Sequence, residues 1–186
     1  MTDTSLATLK RPQRADARRN FDSVLAAART VFAEQGIDAS LEEIARRAGV
    51  GIGTLYRNFP TRQDLVEAIY VDEIEQLGRR AVELAELEPW QALALWLRQF
   101  VSYASTKKAL AEGLNQDSAL LRSCREIMYS AGGGLMDRAQ SAHVVRDDTS
   151  LDDVMRLIIG ITNVGYTNDE QRERVLQMAL DGIRPR

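Results

Sequence analysis

A chain of 186 residues that is 45% hydrophobic and 27% charged, with twelve Gly and four Pro, is long enough to bury a substantial core and is neither disordered nor collagen-like. Ala, Leu, Arg and Glu dominate, so an all-α class is expected, and one Cys (Cys124) with one His (His143) excludes a disulfide framework, a Cys-based zinc site and an ordinary catalytic metal or haem centre. The net charge of −3 divides unevenly: residues 1–62 carry ten Lys and Arg against seven Asp and Glu, or +3, and the remainder carries fourteen against twenty, or −6. A basic front on an acidic body implies a polyanion-binding module carried by something that avoids polyanions.

Residues 1–13 lack periodicity and end in Lys10-Arg11-Pro12, which reads as a flexible basic arm, either solvated or placed in a minor groove. Phe21, Val24, Leu25, Ala28 and Phe32 then share one stripe of a helix ending near Gly36. Ser40-Leu41-Glu42-Glu43 has the form of a capping box, with the Ser40 hydroxyl reaching the Glu43 amide and the Glu43 carboxylate reaching back; Leu41, Ile44, Ala45 and Ala48 supply the apolar face of a short second helix that stops at Gly49. Ile52, Leu55, Tyr56 and Phe59 restart the helical period for about two turns before Pro60. Thr61 and Asp64 cap a fourth helix carrying Leu65, Ala68 and Ile69 towards Leu77 and Leu84.

Beyond Pro89, a helix with Trp90, Leu93, Ala94, Leu97 and Val101 is expected, then a short one over Lys107–Gly113, then one from Asp117 bearing Leu120, Leu121, Cys124, Ile127 and Met128. Gly132-Gly133-Gly134 predicts a break or kink before the helix resumes over Leu135–Ala142. Val145–Asp148 reads as a loop, Ser150 caps a helix over about 151–166, and Asn168 or Asp169 caps the last, over about 170–184. The expected fold is therefore all-α with about nine helices: the arm (1–13), a three-helix front domain (14–62) and a larger helical domain (63–186). No window approaches the roughly 18 apolar residues of a membrane span, and no apolar leader opens the chain, so a cytoplasmic protein without a membrane partner is expected.

Two short helices joined by a Gly turn, with the small Ala45 where they approach, describe a helix-turn-helix over residues 41–59. Ile44, Ala48, Val50 and Leu55 hold the pair together, which leaves Gly51, Ile52, Thr54, Arg57 and Asn58 facing outward. Hydroxyl, amide and guanidinium groups on that face suit base edges and phosphates of double-stranded DNA.

Phe32-Ala33-Glu34-Gln35-Gly36, Ser40–Ala45, Gly49–Phe59 and Arg62-Gln63-Asp64-Leu65 closely resemble the amino-terminal domain of the tetracycline-repressor (TetR) family over residues 14–70. The resemblance implies a dimeric, all-helical transcriptional regulator, usually a repressor released from DNA by a small ligand bound in the carboxy-terminal domain. It gives Thr54 a base or phosphate, Tyr56 a phosphate, Arg57 a base, Arg62 a phosphate beside the start of the fourth helix, and Ser40 a phosphate in addition to its cap. Asn58 stands where the family usually has histidine, and Glu42 is an acid at a position sometimes used to touch bases, acceptable there only if it receives a cytosine amine. One helix-turn-helix reads few base pairs, so two copies on a palindromic operator are expected, with half-sites about one DNA turn apart.

Trp96-Leu97-Arg98, Phe100-Val101, Lys108-Ala109-Leu110 and Ala139–Ala142 further resemble the SbtR-like type of TetR carboxy-terminal domain. Trp96, Tyr103, Met128, Met136, His143 and Asn163 combine apolar volume with sparse polar tips and are the candidates for an effector pocket, with ordinary core packing as the alternative. Leu157, Ile158, Ile161, Val175 and Ala179 on the last two helices belong either to a homodimer interface or to the core beneath it, and Gly160 and Gly165 allow close helix approach. Cys124 reads as a buried small hydrophobe. A ligand-independent regulator is the main alternative; an all-helical enzyme has no nucleophile-base spacing or oxyanion motif behind it and leaves the basic front unexplained.

Overall fold

The computed structural model describes residues 11–110, 114 and 118–185. Among these the regular structure is all helical: α1 (Ala15–Gln35), α2 (Leu41–Arg47), α3 (Ile52–Asn58), α4 (Arg62–Glu83), a 3-10 turn (Leu84–Glu86), α5 (Pro89–Leu110), α6 (Ala119–Ser141), α7 (Leu151–Thr162) and α8 (Asp169–Gly182). Residues 107–110, expected to open a separate short helix, are the last turn of α5, and 111–113 lie outside the described residues. The chain forms two compact units, Met1–Glu73 with Thr106–Cys124, and Ile74–Ser105 with Arg125–Arg186. The division falls within α4, whereas the sequence places the end of the DNA-binding domain at residue 62.

In the first unit α1, α2 and α3 pack on one another. The apolar stripe of α1 (Phe21, Val24, Leu25, Ala28, Val31, Phe32) is buried, and Gly36, at φ 82°, turns the chain out of the helix. Phe21 meets Phe59 with ring centroids 4.8 Å apart, and Ile44, Leu55, Leu65 and Ile69 complete the centre. Each such side chain contributes on the order of 1.5–3 kcal/mol by leaving water. Beside this core sits an ionic cluster. Arg29 on α1 donates from Nη2 to Asp72 Oδ2 (2.8 Å) and pairs through Nε with Glu73 Oε1 (2.5 Å), while Arg11 bridges Asp22 and Asp72 and lies over the Phe21 ring. Both α4 carboxylates are buried, at 5% exposure each. Charges so buried persist because they are paired.

The second unit is organised by an aromatic ladder on α5. Trp96 stacks on Phe100 (6.0 Å, 8°), Phe100 tilts against Tyr103 (5.4 Å), and the Trp96 indole N–H donates to the Leu77 carbonyl (3.0 Å). The glycine run does not break α6, which is continuous through Gly132, Gly133 and Gly134. Its cause is tertiary: Gly132 faces the Trp96 ring where no side chain fits. α6 ends at a Schellman turn in which His143 takes φ 55°, its N–H reaching Gln140 O (2.8 Å) and that of Val144 reaching Ala139 O (3.0 Å). Ser150 and Asp153 form a reciprocal capping box at α7, and the Asn168 side chain caps α8 through the Gln171 N–H. α7 stops at Thr162, short of residue 166, with Asn163 as its C-cap, and the Tyr166 hydroxyl donates to the Ile161 carbonyl (2.5 Å), one of the acceptors left over at the helix end.

Candidate nucleic-acid interface

The turn between α2 and α3 is made by Gly49 at φ 68°, and the Val50 N–H closes it on the Ala45 carbonyl (3.0 Å). α3 then starts at Gly51 and buries one residue, Leu55. Ile52 (36% exposed) and Tyr56 (44%) lie open with Gly51 and Arg57, and Thr54 and Asn58 are half-buried. Arg57 makes no ion pair or hydrogen bond with any described residue. The Asn58 amide donates one bond back to the Thr54 carbonyl (2.8 Å), so part of the donor capacity that would replace the family's histidine is used to finish the helix.

α2 departs from its expected cap. The Ser40 hydroxyl oxygen accepts from the Glu42 and Glu43 amides (3.2 and 3.4 Å), and the hydroxyl itself donates to Glu42 Oε2 (2.6 Å). That bond, chiefly, holds the Glu42 carboxyl below its ordinary range, aided by its own N–H and the Arg62 charge. The Glu43 carboxylate does not reach back. It accepts from Arg46 (2.8 Å, two bonds) and Arg47 (2.7 Å), which bring its pKa down to about 2, and Arg47 also pairs with Glu34 (2.7 Å). The box is one-sided because two guanidiniums within one turn outcompete a backbone N–H for the carboxylate. At the start of α4, Thr61 and Asp64 do make the expected reciprocal pair (3.1 and 2.8 Å).

Two cations take partners within the protein. Arg62, expected at a phosphate, donates from Nη1 to the carbonyls of Ile37 (2.7 Å) and Ala39 (2.6 Å), with its guanidinium 5.9 Å from the Phe32 centroid. Arg11, expected in a solvated or groove-bound arm, is held by Asp22 and Asp72; Lys10 lies outside the described residues. Neither arrangement has a local sequence signature, since the partners lie 11 and 61 residues from Arg11 and 25 and 23 residues from Arg62.

The effector-pocket candidates divide. Trp96, Tyr103, Met128 and Met136 are buried in the second unit. His143 and Asn163 are exposed, the first at the Schellman turn and the second as the C-cap of α7, positions set by helix termination. Met136 also borders an open cavity of about 530 Å³ with Asp137, Gln140 and Thr149. Of the dimer candidates, Leu157, Ile161, Val175 and Ala179 line an open groove of about 490 Å³ between α7 and α8, together with Met178, which the sequence reading did not single out although it lies one turn beyond Val175. Ile158 is 1% exposed and belongs to the core, one residue on from the groove's Leu157. Cys124 is buried as expected. Among the described residues no group of three or more His, Cys, Asp or Glu is placed to hold a metal, and no helix is long and apolar enough to cross a membrane.

Residues 24–69 match the family described as bacterial regulatory proteins, tetR family, and residues 88–185 match the transcriptional regulator SbtR-like C-terminal domain. The TetR transcriptional regulator SCO0520 from Streptomyces coelicolor is 43% identical, with a TM-score of 0.74 over 88% of this chain and 98% of its own. A TetR transcription regulatory protein from Mycobacterium vanbaalenii is 34% identical, with a TM-score of 0.74 over 94% of this chain and all of its own. The HTH-type transcriptional repressor KstR of Rhodococcus jostii is 26% identical over 157 residues, 84% of this chain and 72% of the repressor.

Proposed function

The chain belongs to the TetR family of bacterial regulatory proteins, and we propose that it is a repressor that binds a palindromic operator as a homodimer and leaves it when a small molecule occupies the carboxy-terminal domain. It is a transcriptional regulator of a family whose members bind DNA and act as dimers. The observation that carries the operator reading is α3 itself: one buried side chain, Leu55, holds it, and Thr54, Tyr56 and Arg57 are left to meet a duplex. Arg57 is the base reader, its two-pronged guanidinium suited to guanine O6 and N7. Thr54, Tyr56 and the open amide hydrogen of Asn58 take phosphate or base contacts, Gly51 and Ile52 allow close approach, and Ser40 retains only a secondary role because its proton is given to Glu42.

Selection of bound duplexes from a random pool tests this. A recovered palindrome whose preference disappears at one symmetric pair of positions in Arg57→Ala supports it; unselective recovery rejects it.

The dimer reading rests on the α7–α8 groove, where Leu157 (43% exposed) and Met178 (72%) leave large apolar surface in water. Two copies packing this face isologously hide it and set the distance between the recognition helices. Release follows if effector binding favours a form in which α4 is tilted and the half-site distance is wrong. Equal Tyr56-to-Tyr56 distances in effector-bound and effector-free crystals would reject the tilt.

A further inference from the structure

We propose that Arg62 is a positioning residue for operator recognition: it ties the first turn of α4 to the loop leading into α2, and so sets how the helix-turn-helix is presented to DNA. The inference rests on the operator reading above. It assigns Arg62 a role different from the phosphate ligand implied by resemblance.

Three observations carry it. One guanidinium nitrogen donates to two carbonyls, Ile37 O at 2.7 Å and Ala39 O at 2.6 Å, both ahead of the first intrahelical acceptor of α2, the Ser40 carbonyl bonded to Ile44. Neither is used by a helix ladder, so Arg62 supplies the donor that the loop lacks. The cation also lies over Phe32 in the last turn of α1, just ahead of that connection. Finally, Ala39 is 8% exposed and directly precedes the Ser40 cap, so a carbonyl left without its donor there disturbs the entry of α2, against which α3 packs. A side chain engaged with its own backbone on one amino group and an aromatic face on another side is committed to the protein. Its length and forked planarity, rather than its charge alone, are what the site uses.

The test uses the full chain, the operator duplex recovered by selection and a scrambled duplex of equal length, with affinities measured over a series of salt concentrations. For Arg62→Gln, positioning predicts operator binding weaker by about tenfold at every salt concentration, an unchanged salt slope and unchanged affinity for the scrambled duplex. A phosphate ligand predicts weaker binding of both duplexes and a salt slope reduced by about 1.8 for a two-copy complex, which overturns the proposal. Loss of thermal stability with both affinities intact shows a purely structural role and also overturns it. If Arg62→Gln does not fold, Arg62→Lys decides: positioning predicts a several-fold loss on the operator alone, and a phosphate ligand predicts wild-type affinity for both duplexes. Absence of any preferred duplex for the wild-type chain fails the operator reading itself, a result distinct from the three above.

Discussion

Gly132 on α6 lies so close under the Trp96 ring that a Cβ built on it would stand 2.5 Å from Cη2 and 2.8 Å from Cζ3. The indole is itself fixed, fully buried and bonded to the Leu77 carbonyl, so it has no easy retreat. Gly132→Ala is therefore expected to cost about 1–3 kcal/mol through overpacking, although alanine is the better helix former. Gly134, two residues on, is exposed with nothing near its missing Cβ, and Gly134→Ala should stabilise α6 by about 0.5–1 kcal/mol. Urea denaturation of the two variants should move in opposite directions; a shared direction would remove the steric account.

His143→Gly should stabilise the second unit by about 0.5–1 kcal/mol, since the residue occupies a left-handed position that glycine adopts without strain and carries no other described contact beyond its backbone bond. A lower melting temperature in this variant would mean that the imidazole contributes to the fold.

Asp72 and Glu73 sit side by side in sequence yet should respond differently to neutralisation. Asp72 is shared between Arg11 and Arg29, and Asp72→Ala, which leaves Arg11 with Asp22 alone and Arg29 with Glu73 alone, should destabilise by roughly 1–3 kcal/mol. Burial raises the Glu73 carboxyl above its ordinary pKa, against the opposing pull of Arg29. Its proton is thus bound more tightly in the folded chain, and that contribution is complete below the unfolded pKa and fades as pH rises through the folded one. Glu73→Gln should match or exceed wild-type stability at pH 7, and the difference should shrink as both are brought towards pH 4.5. Denaturant midpoints across that range measure it; a Gln variant that falls behind at pH 7 contradicts the burial argument.

Glu43 runs the other way. Arg46 and Arg47 hold its pKa near 2, so its stabilising effect is present above the ordinary carboxylate range and is lost as pH falls from about 4.5 towards 2. Glu43→Gln removes that dependence, frees Arg46 and leaves Arg47 with Glu34 alone, both on α2 of the helix-turn-helix. Scrambled-duplex binding should tighten and its salt slope steepen, by up to about 0.9 per added phosphate contact. An unchanged slope would mean the two arginines do not face DNA.

Where the chemistry was local, the sequence was sufficient. Ser150, Thr61 with Asp64, and Asn168 each open a helix where their short side chains reach the nearest amides, and of the outward set on α3, Gly51, Ile52 and Arg57 are exposed whereas Thr54 and Asn58 are half-buried. Ser40 shows the limit of that reading: its motif is intact, but Arg46 and Arg47 draw the Glu43 carboxylate away. Gly132 reads as a helix breaker because its reason, Trp96, lies on another helix. The carbonyl partners of Arg62 are illegible for the same reason, lying 25 and 23 residues earlier in the chain.

Leu157→Glu places a carboxylate in the α7–α8 groove, from a position already 43% exposed, so folding should be retained. Sedimentation should then report a single-chain species, with operator affinity reduced by at least about a hundredfold as one half-site is lost. A variant that remains a two-chain particle would direct the search for the subunit contact elsewhere.

The single anchorage of α3 has an evolutionary corollary. With Leu55 the one buried side chain of α3, an exchange at the exposed Arg57 removes little packing, so, on the proposed operator reading, new target sites can be explored there by drift or by library design with almost no penalty in folding. The same helix therefore separates what the protein must keep in order to exist from what it can alter in order to address a different gene.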